Sequence, residues 1–169
     1  MTKAEARSYV LAQRKLLNLQ EKSNKAFCTF KELDILKDFT DIGIYYPLKG
    51  ELDLLRLIEE YPDKRFYLPI TKERLQFVLY TKGMEVYEGA FHVKEPRGIP
   101  VNLDQLGAIC IPCLAISKDQ KRLGYGKGFY DKALKNYSGL KIGVCIEEFT
   151  GMDICMQDFD LIMDRIIKG

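Results

Sequence analysis

The chain has 169 residues, is 47% hydrophobic and 30% charged, and carries a formal net charge of +2. That length suits one domain over residues 1–169 with a sizeable core, and the mild, scattered positive charge argues against nucleic acid as a partner. No apolar run approaches the roughly 20 residues a membrane span needs, and the N-terminal stretch lacks a signal peptide's apolar core, so a cytoplasmic protein without a membrane partner is expected. No exposed apolar helix stands out, which makes a monomer the default.

Residues 3–21 lack Pro and Gly and are rich in helix formers, which predicts a first helix. Ala6, Val10 and Leu17 fall on one stripe, with Lys3, Arg7 and Arg14 on the stripe beside it. Periodicity favours a solvated charged edge next to a core face over a cationic edge aimed at a bound anion. A second helix is predicted over 25–37, with Asn24 as its cap. Residues 41–46 read as a buried strand ending at Pro47, and Glu51–Tyr61 as a helix with Leu52, Leu55 and Ile58 on one face. Residues 64–68 read as a short strand stopped by Pro69, and 75–81 as another.

From Lys82 to Asp104, Gly and Pro punctuate a long loop with room for a short hairpin. Its His92, the only histidine, suggests no particular role. A strand over 107–111, a connector over 112–121, a glycine-rich loop with a helix to about Asn136, and strands over 140–146 and 161–167 complete the chain. Strands alternating with helices indicate an α/β fold with a largely parallel or mixed sheet covered on both faces. In such sheets ligands collect at the carboxyl ends of strands, where 46–51, 91–96 and 122–131 could converge on one cleft.

The five cysteines, without a secretion signal, read as reduced thiols. Cys110-Ile111-Pro112-Cys113 matches C-x-x-C, but it closes an apolar strand rather than opening a helix. A structural zinc site would want a second close pair.

The densest chemistry lies in Arg122-Leu123-Gly124-Tyr125-Gly126-Lys127-Gly128-Phe129-Tyr130-Asp131. Alternating glycines let backbone N–H groups turn into an anion cradle, Lys127 adds a point charge, and a helix start follows. The stretch fits neither the P-loop pattern nor the dinucleotide fingerprint, since Lys127 is followed by Gly128 and the glycines run G-x-G-x-G. Asp131 and Asp160 could serve as magnesium ligands beside a phosphate or, with equal weight, as caps or turn carboxylates.

Arg122 to Asp131 resembles the R-L-G-x-G-x-G-Y-Y-D signature of the 5-formyltetrahydrofolate cyclo-ligase family, departing only in Phe129. Lys3 and Arg7 resemble that family's spaced cations. Tyr46-Pro47-Leu48-Lys49-Gly50-Glu51 resembles its strand-end segment, and Phe91 to Pro96 resembles its G-I-x-E-P segment with His92 in place of Gly. Asp160 to Asp164 resembles its D-x-x-x-D. Ser117, Gln120 and Phe149 depart from the residues usual there, which are Asp, Gly and Gln.

The resemblance implies a three-layer α/β sandwich, Rossmann-like, with a mixed, mostly parallel sheet and helices on both faces. It implies an ATP- and Mg2+-dependent cyclisation of 5-formyltetrahydrofolate to 5,10-methenyltetrahydrofolate, releasing ADP and phosphate. Lys3, Arg7 and Arg122, Leu123, Gly124, Tyr125, Gly126, Lys127, Gly128, Phe129 and Tyr130 would then bind ATP, with Lys127 and Arg122 acting in catalysis. Tyr46, Glu51 and the segment Tyr125 to Phe129 would meet the folate, and Asp131 and Asp160 would hold magnesium. The alternatives are a paralogue that activates a different small substrate and a non-catalytic nucleotide- or folate-binding module.

Overall fold

A computed structural model describes residues 1–169. Helix α1, Lys3–Gln13, begins at a capping box: Thr2 Oγ1 accepts from Glu5 N, and the Glu5 carboxylate accepts from Thr2 N. Two of the first helical turn's orphan donor groups are thereby satisfied. Ala6 and Val10 face the core. The helix does not run on to 21. A 3-10 turn, Arg14–Leu16, tightens its end, and Leu17 is extended.

Helix α2, Leu19–Glu32, starts there because Asn18 Oδ1 accepts from Glu21 N. The expected cap, Asn24, is interior to α2. Its Ala26, Phe27 and Phe30 are buried.

The central sheet has the order β10-β9-β6-β1-β2-β3. Its strands are β1 (Asp41–Gly43), β2 (Arg65–Thr71), β3 (Leu75–Tyr80), β6 (Ala108–Pro112), β9 (Leu140–Cys145) and β10 (Arg165–Lys168). Four of its five pairings are parallel, and only β2 with β3 is antiparallel. The expected α/β class with a mixed, mostly parallel sheet therefore holds.

Two small ribbons lie outside this sheet: β4 (Val86–Glu88) with β5 (Lys94–Pro96), and β7 (Ala115–Ile116) with β8 (Arg122–Leu123). The first is the hairpin expected within the long loop. Helix α2 packs against β10.

Pro69 does not stop its strand. It lies within β2, opposite Phe77. Tyr67 O accepts from Ile44 N, so residues of that parity point toward β1, whose register ends at Tyr67. The next donor in that ladder would be residue 69, so Pro69's missing N–H ends the pairing with β1 while β2 continues against β3.

The expected helix over 51–61 shrinks to α3, Arg56–Glu60. Upstream, side chains capture the backbone: Glu51 Oε2 accepts from Leu48 N at 2.8 Å, and Asp53 Oδ1 accepts from Leu55 N at 2.9 Å. Leu52, Leu54 and Leu57 are buried, rather than the helical set Leu52, Leu55 and Ile58. Local side-chain bonds of this kind compete with helix formation.

Helix α4, Phe129–Ala133, is also shorter than expected. The segment 161–163 pairs with 120–122 instead of extending β10, since Arg122 N donates to Leu161 O and Met163 N to Gln120 O.

The core gathers 37 buried residues from α1 to β10. Phe30, Phe66, Phe77 and Phe149 are its largest fully buried side chains. The chain leaves β1 toward β2 on one side, while β6, β9 and β10 lie on the other. The carboxyl ends of β1 and β6 thus flank the point where strand order reverses, where open α/β sheets hold ligands.

Candidate active site

A cleft of about 810 Å³ opens at this point. The end of β1 delivers Tyr46 and Glu51, and the end of β6 leads through β7 and β8 into the glycine loop 124–128. Helix α1 contributes Lys3 and Arg7 from its first two turns, and the segment before β10 contributes Asp160. Every residue expected at the site, from Lys3 to Asp160, lines this one cleft. The charged edge of α1, ranked as a solvated face on periodicity alone, thus points its first two cations into the cleft.

The glycine loop is tied to α1: Arg7 Nε donates to Gly124 O at 2.8 Å. Gly126 has φ +96°, and a Cβ there would lie 3.3 Å from the Arg7 guanidinium carbon. Lys127 is exposed and has no anionic partner, and its ammonium lies 5.2 Å from the centre of the Phe91 ring. Phe129 packs on the same ring, centroids 5.5 Å apart. The Tyr to Phe departure thus presents an apolar face to Phe91.

Arg122 and Leu123 differ from the rest of the stretch, because both are buried in β8. Leu123's side chain is core, and its carbonyl accepts from Leu114 N. Arg122 Nε donates to Pro112 O at 2.9 Å, and its guanidinium lies 4.8 Å from the Tyr130 ring centre and 3.7 Å from Asp131. Arg122 therefore forms part of the cleft's fixed wall.

Six Lys or Arg side chains line the cleft against three carboxylates, Glu51, Asp131 and Asp160. Of the six, Lys3 pairs with Asp160 at 2.6 Å and Arg122 approaches Asp131. Arg7, Lys127, Lys132 and Lys135 make no ion pair, although they share one wall. Such a field attracts a polyanion.

Glu51 is the half-buried acid of the opposite wall. Burial raises its pKa above the ordinary glutamate value, and the Leu48 N–H, Arg122 and Arg14 pull it back down. Burial and the Glu51 charge together raise Tyr125.

Asp131 Oδ1 accepts from Leu161 N at 3.2 Å, which brings its carboxylate next to the segment that carries Asp160. Asp160 accepts from Gln157 N at 2.7 Å as well as from Lys3. Two hard oxygen donors at one end of an anion cleft fit a magnesium ion that takes its remaining ligands from phosphate and water.

The sequence reading missed several lining residues: Pro69, Thr71 and Leu75 at the facing ends of β2 and β3, Lys132 and Lys135, and Phe159. The first three carry no local signature, since only the sheet order puts them at the cleft. The segment 91–96 does reach the site, through Phe91 and Val93. His92 turns away and pairs with Glu88.

Ser117 and Phe149 are buried at 3% and 2% exposure. Phe149 packs edge-on against Tyr9, centroids 6.5 Å apart. These two departures are therefore core substitutions. Gln120 and His92, which stand where glycine is usual, both have φ +60°. Cys110 is buried in β6 with its thiol pushed up to about 12, and burial pushes Cys113 up to about 11, which leaves both as weak nucleophiles.

The sequence model described as the 5-formyltetrahydrofolate cyclo-ligase family matches residues 2–168. The chain is 29% identical to a 5-formyltetrahydrofolate cyclo-ligase of Haemophilus influenzae over 141 residues, 76% of this chain and 75% of that one. It is also 29% identical to the Mycoplasma pneumoniae protein of the same name over 179 residues, 99% of each. Among solved structures, it superposes on the 5,10-methenyltetrahydrofolate synthetase of Aquifex aeolicus with a TM-score of 0.86 and 31% identity, covering 99% of this chain and 90% of that one.

Proposed function

The chain belongs to the 5-formyltetrahydrofolate cyclo-ligase family, and from that membership we propose how its cleft works. The enzyme is an ATP-dependent cyclo-ligase that converts 5-formyltetrahydrofolate to 5,10-methenyltetrahydrofolate. The observation that carries the site assignment is the one-sided charge of the cleft: four cations without an anionic partner on the glycine-loop wall, facing the half-buried Glu51 carboxylate on the other.

The cationic wall suits a triphosphate. Arg7 holds the loop at Gly124, and Lys3, Arg7 and the N–H groups of the loop face the nucleotide. Lys127 lies where a transferred phosphoryl group gathers charge, and Arg122 braces the wall behind it. Asp131 and Asp160 would hold Mg2+, which offsets phosphate charge when bound. Glu51 accepts N–H bonds from the pterin, and Tyr46 and the segment Tyr125 to Phe129 line the folate's reacting end.

The chemistry then needs no covalent nucleophile. Amide resonance makes the formyl oxygen a poor leaving group. Its phosphorylation by the γ-phosphoryl of ATP releases ADP and turns that oxygen into a good one. N10 attacks the activated carbon, closes the ring and expels phosphate. Such a transfer depends on alignment and charge neutralisation, which suits a protein whose three thiols in or beside the sheet, Cys110, Cys113 and Cys145, are all pushed up by burial.

The test is to mix the protein with 5-formyltetrahydrofolate, ATP and Mg2+, then follow methenyl absorbance and ADP together. One ADP per methenyl product is expected. ADP release uncoupled from product would overturn the phosphorylation route.

A further inference from the structure

Arg14 does not line the main cleft, and sequence reading gave it no role. It lies behind the cleft wall, beside a small void it shares with Glu51, Tyr125 and Phe149. Its Nη1 donates to Tyr125 Oη at 2.9 Å, and its Nη2 donates to Lys49 O at 3.2 Å. One planar guanidinium thus bonds both walls, the glycine loop through Tyr125 and the β1-end segment through Lys49. A fork of fixed geometry suits this in a way that a lysine's point charge does not.

The surroundings are shaped to it. Gly50 has φ +91°, and a Cβ there would lie 2.6 Å from Arg14 Nε. The next residue is Glu51, which lines the same small void as Arg14 and Tyr125. Arg14 thus bonds Tyr125 directly and sits at one void with the Glu51 carboxylate. Arg7 holds the same glycine loop independently at Gly124.

We propose that Arg14 is a positioning residue that sets the spacing between the two walls, so that Glu51 and Tyr125 meet the folate together while Arg7 keeps the nucleotide side in place. This rests on the assignment of Glu51 to the folate.

The experiment is a double-mutant cycle with Arg14→Met and Tyr125→Phe, read as separate KM values for 5-formyltetrahydrofolate and ATP, with Glu51→Gln measured beside it. Losing a hydrogen bond to a charged group should raise the folate KM of Arg14→Met by about tenfold, with the ATP KM within about twofold of the parent. The double variant should be no worse than Arg14→Met alone, because both changes break one link.

Equal rises in both KM values, or independent effects in the cycle, would overturn the role given to Arg14. Should Arg14→Met fail to fold, Tyr125→Phe, which loses one hydroxyl, must alone raise the folate KM selectively, and an unchanged value overturns the proposal. If Glu51→Gln leaves the folate KM unchanged, the assignment of Glu51 fails instead, whatever the cycle shows.

Discussion

The Lys3 ammonium lies 2.6 Å from the Asp160 carboxylate, joining residues 157 apart in the chain. Both are expected at the site, one facing the nucleotide and the other the metal. Here they hold each other, and Asp160 is only 8% exposed. Any cation that binds Asp160 must compete with Lys3. Replacing Lys3 by Met should lower the Mg2+ concentration needed for half-maximal activity while raising the ATP KM. Magnesium titration of both proteins checks this, and an unchanged midpoint would separate Asp160 from the metal.

Lys127→Ala should reduce kcat by about 10²- to 10³-fold, the loss typical of one charge-stabilising group. Lys127 is exposed and pairs with no anion in the fold. Its removal should therefore leave thermal stability within about 0.5 kcal/mol of the parent. Near-normal turnover would show that the loop cation has no part in the transfer.

Glu51 gives a pH signature. Burial raises its pKa above the ordinary 4.5. A raised group contributes stability that is fully present below the unfolded value and lost as pH rises through the folded one. Relative to the parent, Glu51→Gln should therefore gain in melting temperature as pH rises above the ordinary glutamate range. In the proposed role, the ionised carboxylate is the form that would accept pterin N–H bonds. In the parent the folate KM should rise as pH falls, beginning above 4.5, and the variant should lose that limb. Calorimetry and a KM–pH profile measure the two effects, and a flat parent profile contradicts the second.

Gln120 occupies a left-handed position in the turn after Ser117, with its N–H bonded to Ser117 O at 3.0 Å. Its exposed side chain makes no hydrogen bond. A non-glycine residue there costs about 1–2 kcal/mol, of which glycine's greater unfolded-state entropy takes back about 0.5–1. Gln120→Gly should stabilise the protein by about 0.5–1 kcal/mol without changing either KM. Denaturant unfolding tests it, and a loss of stability would mean that the turn relaxes around glutamine.

Some features were legible because they are local. The start of α1 at residue 3 follows from a run of helix formers without Pro or Gly, and the glycines between Arg122 and Asp131 prescribe an open backbone wherever they fall. The order of apolar runs was enough for the α/β class. Boundaries were read less well where a side chain takes over a backbone partner: Asn18 starts α2 earlier than Asn24 would, and Glu51 and Asp53 break the helix that leucine spacing suggested. Pro69 was misread because it ends only one of its strand's two ladders, the pairing with β1, while β2 runs on against β3.

The sequence by itself determined the chemistry available: a cationic glycine loop, two terminal-side cations, and carboxylates at 51, 131 and 160. Each is a property of residue type and close spacing. Only the tertiary structure decided how they are used, because parallel pairing across β1 and β6 brings segments more than 60 residues apart to one edge. That convergence paired Lys3 with Asp160, partly desolvated Glu51 so that its charge is costly, and put Arg14 behind both walls. No periodicity encodes such contacts, since they depend on which surfaces the sheet brings together.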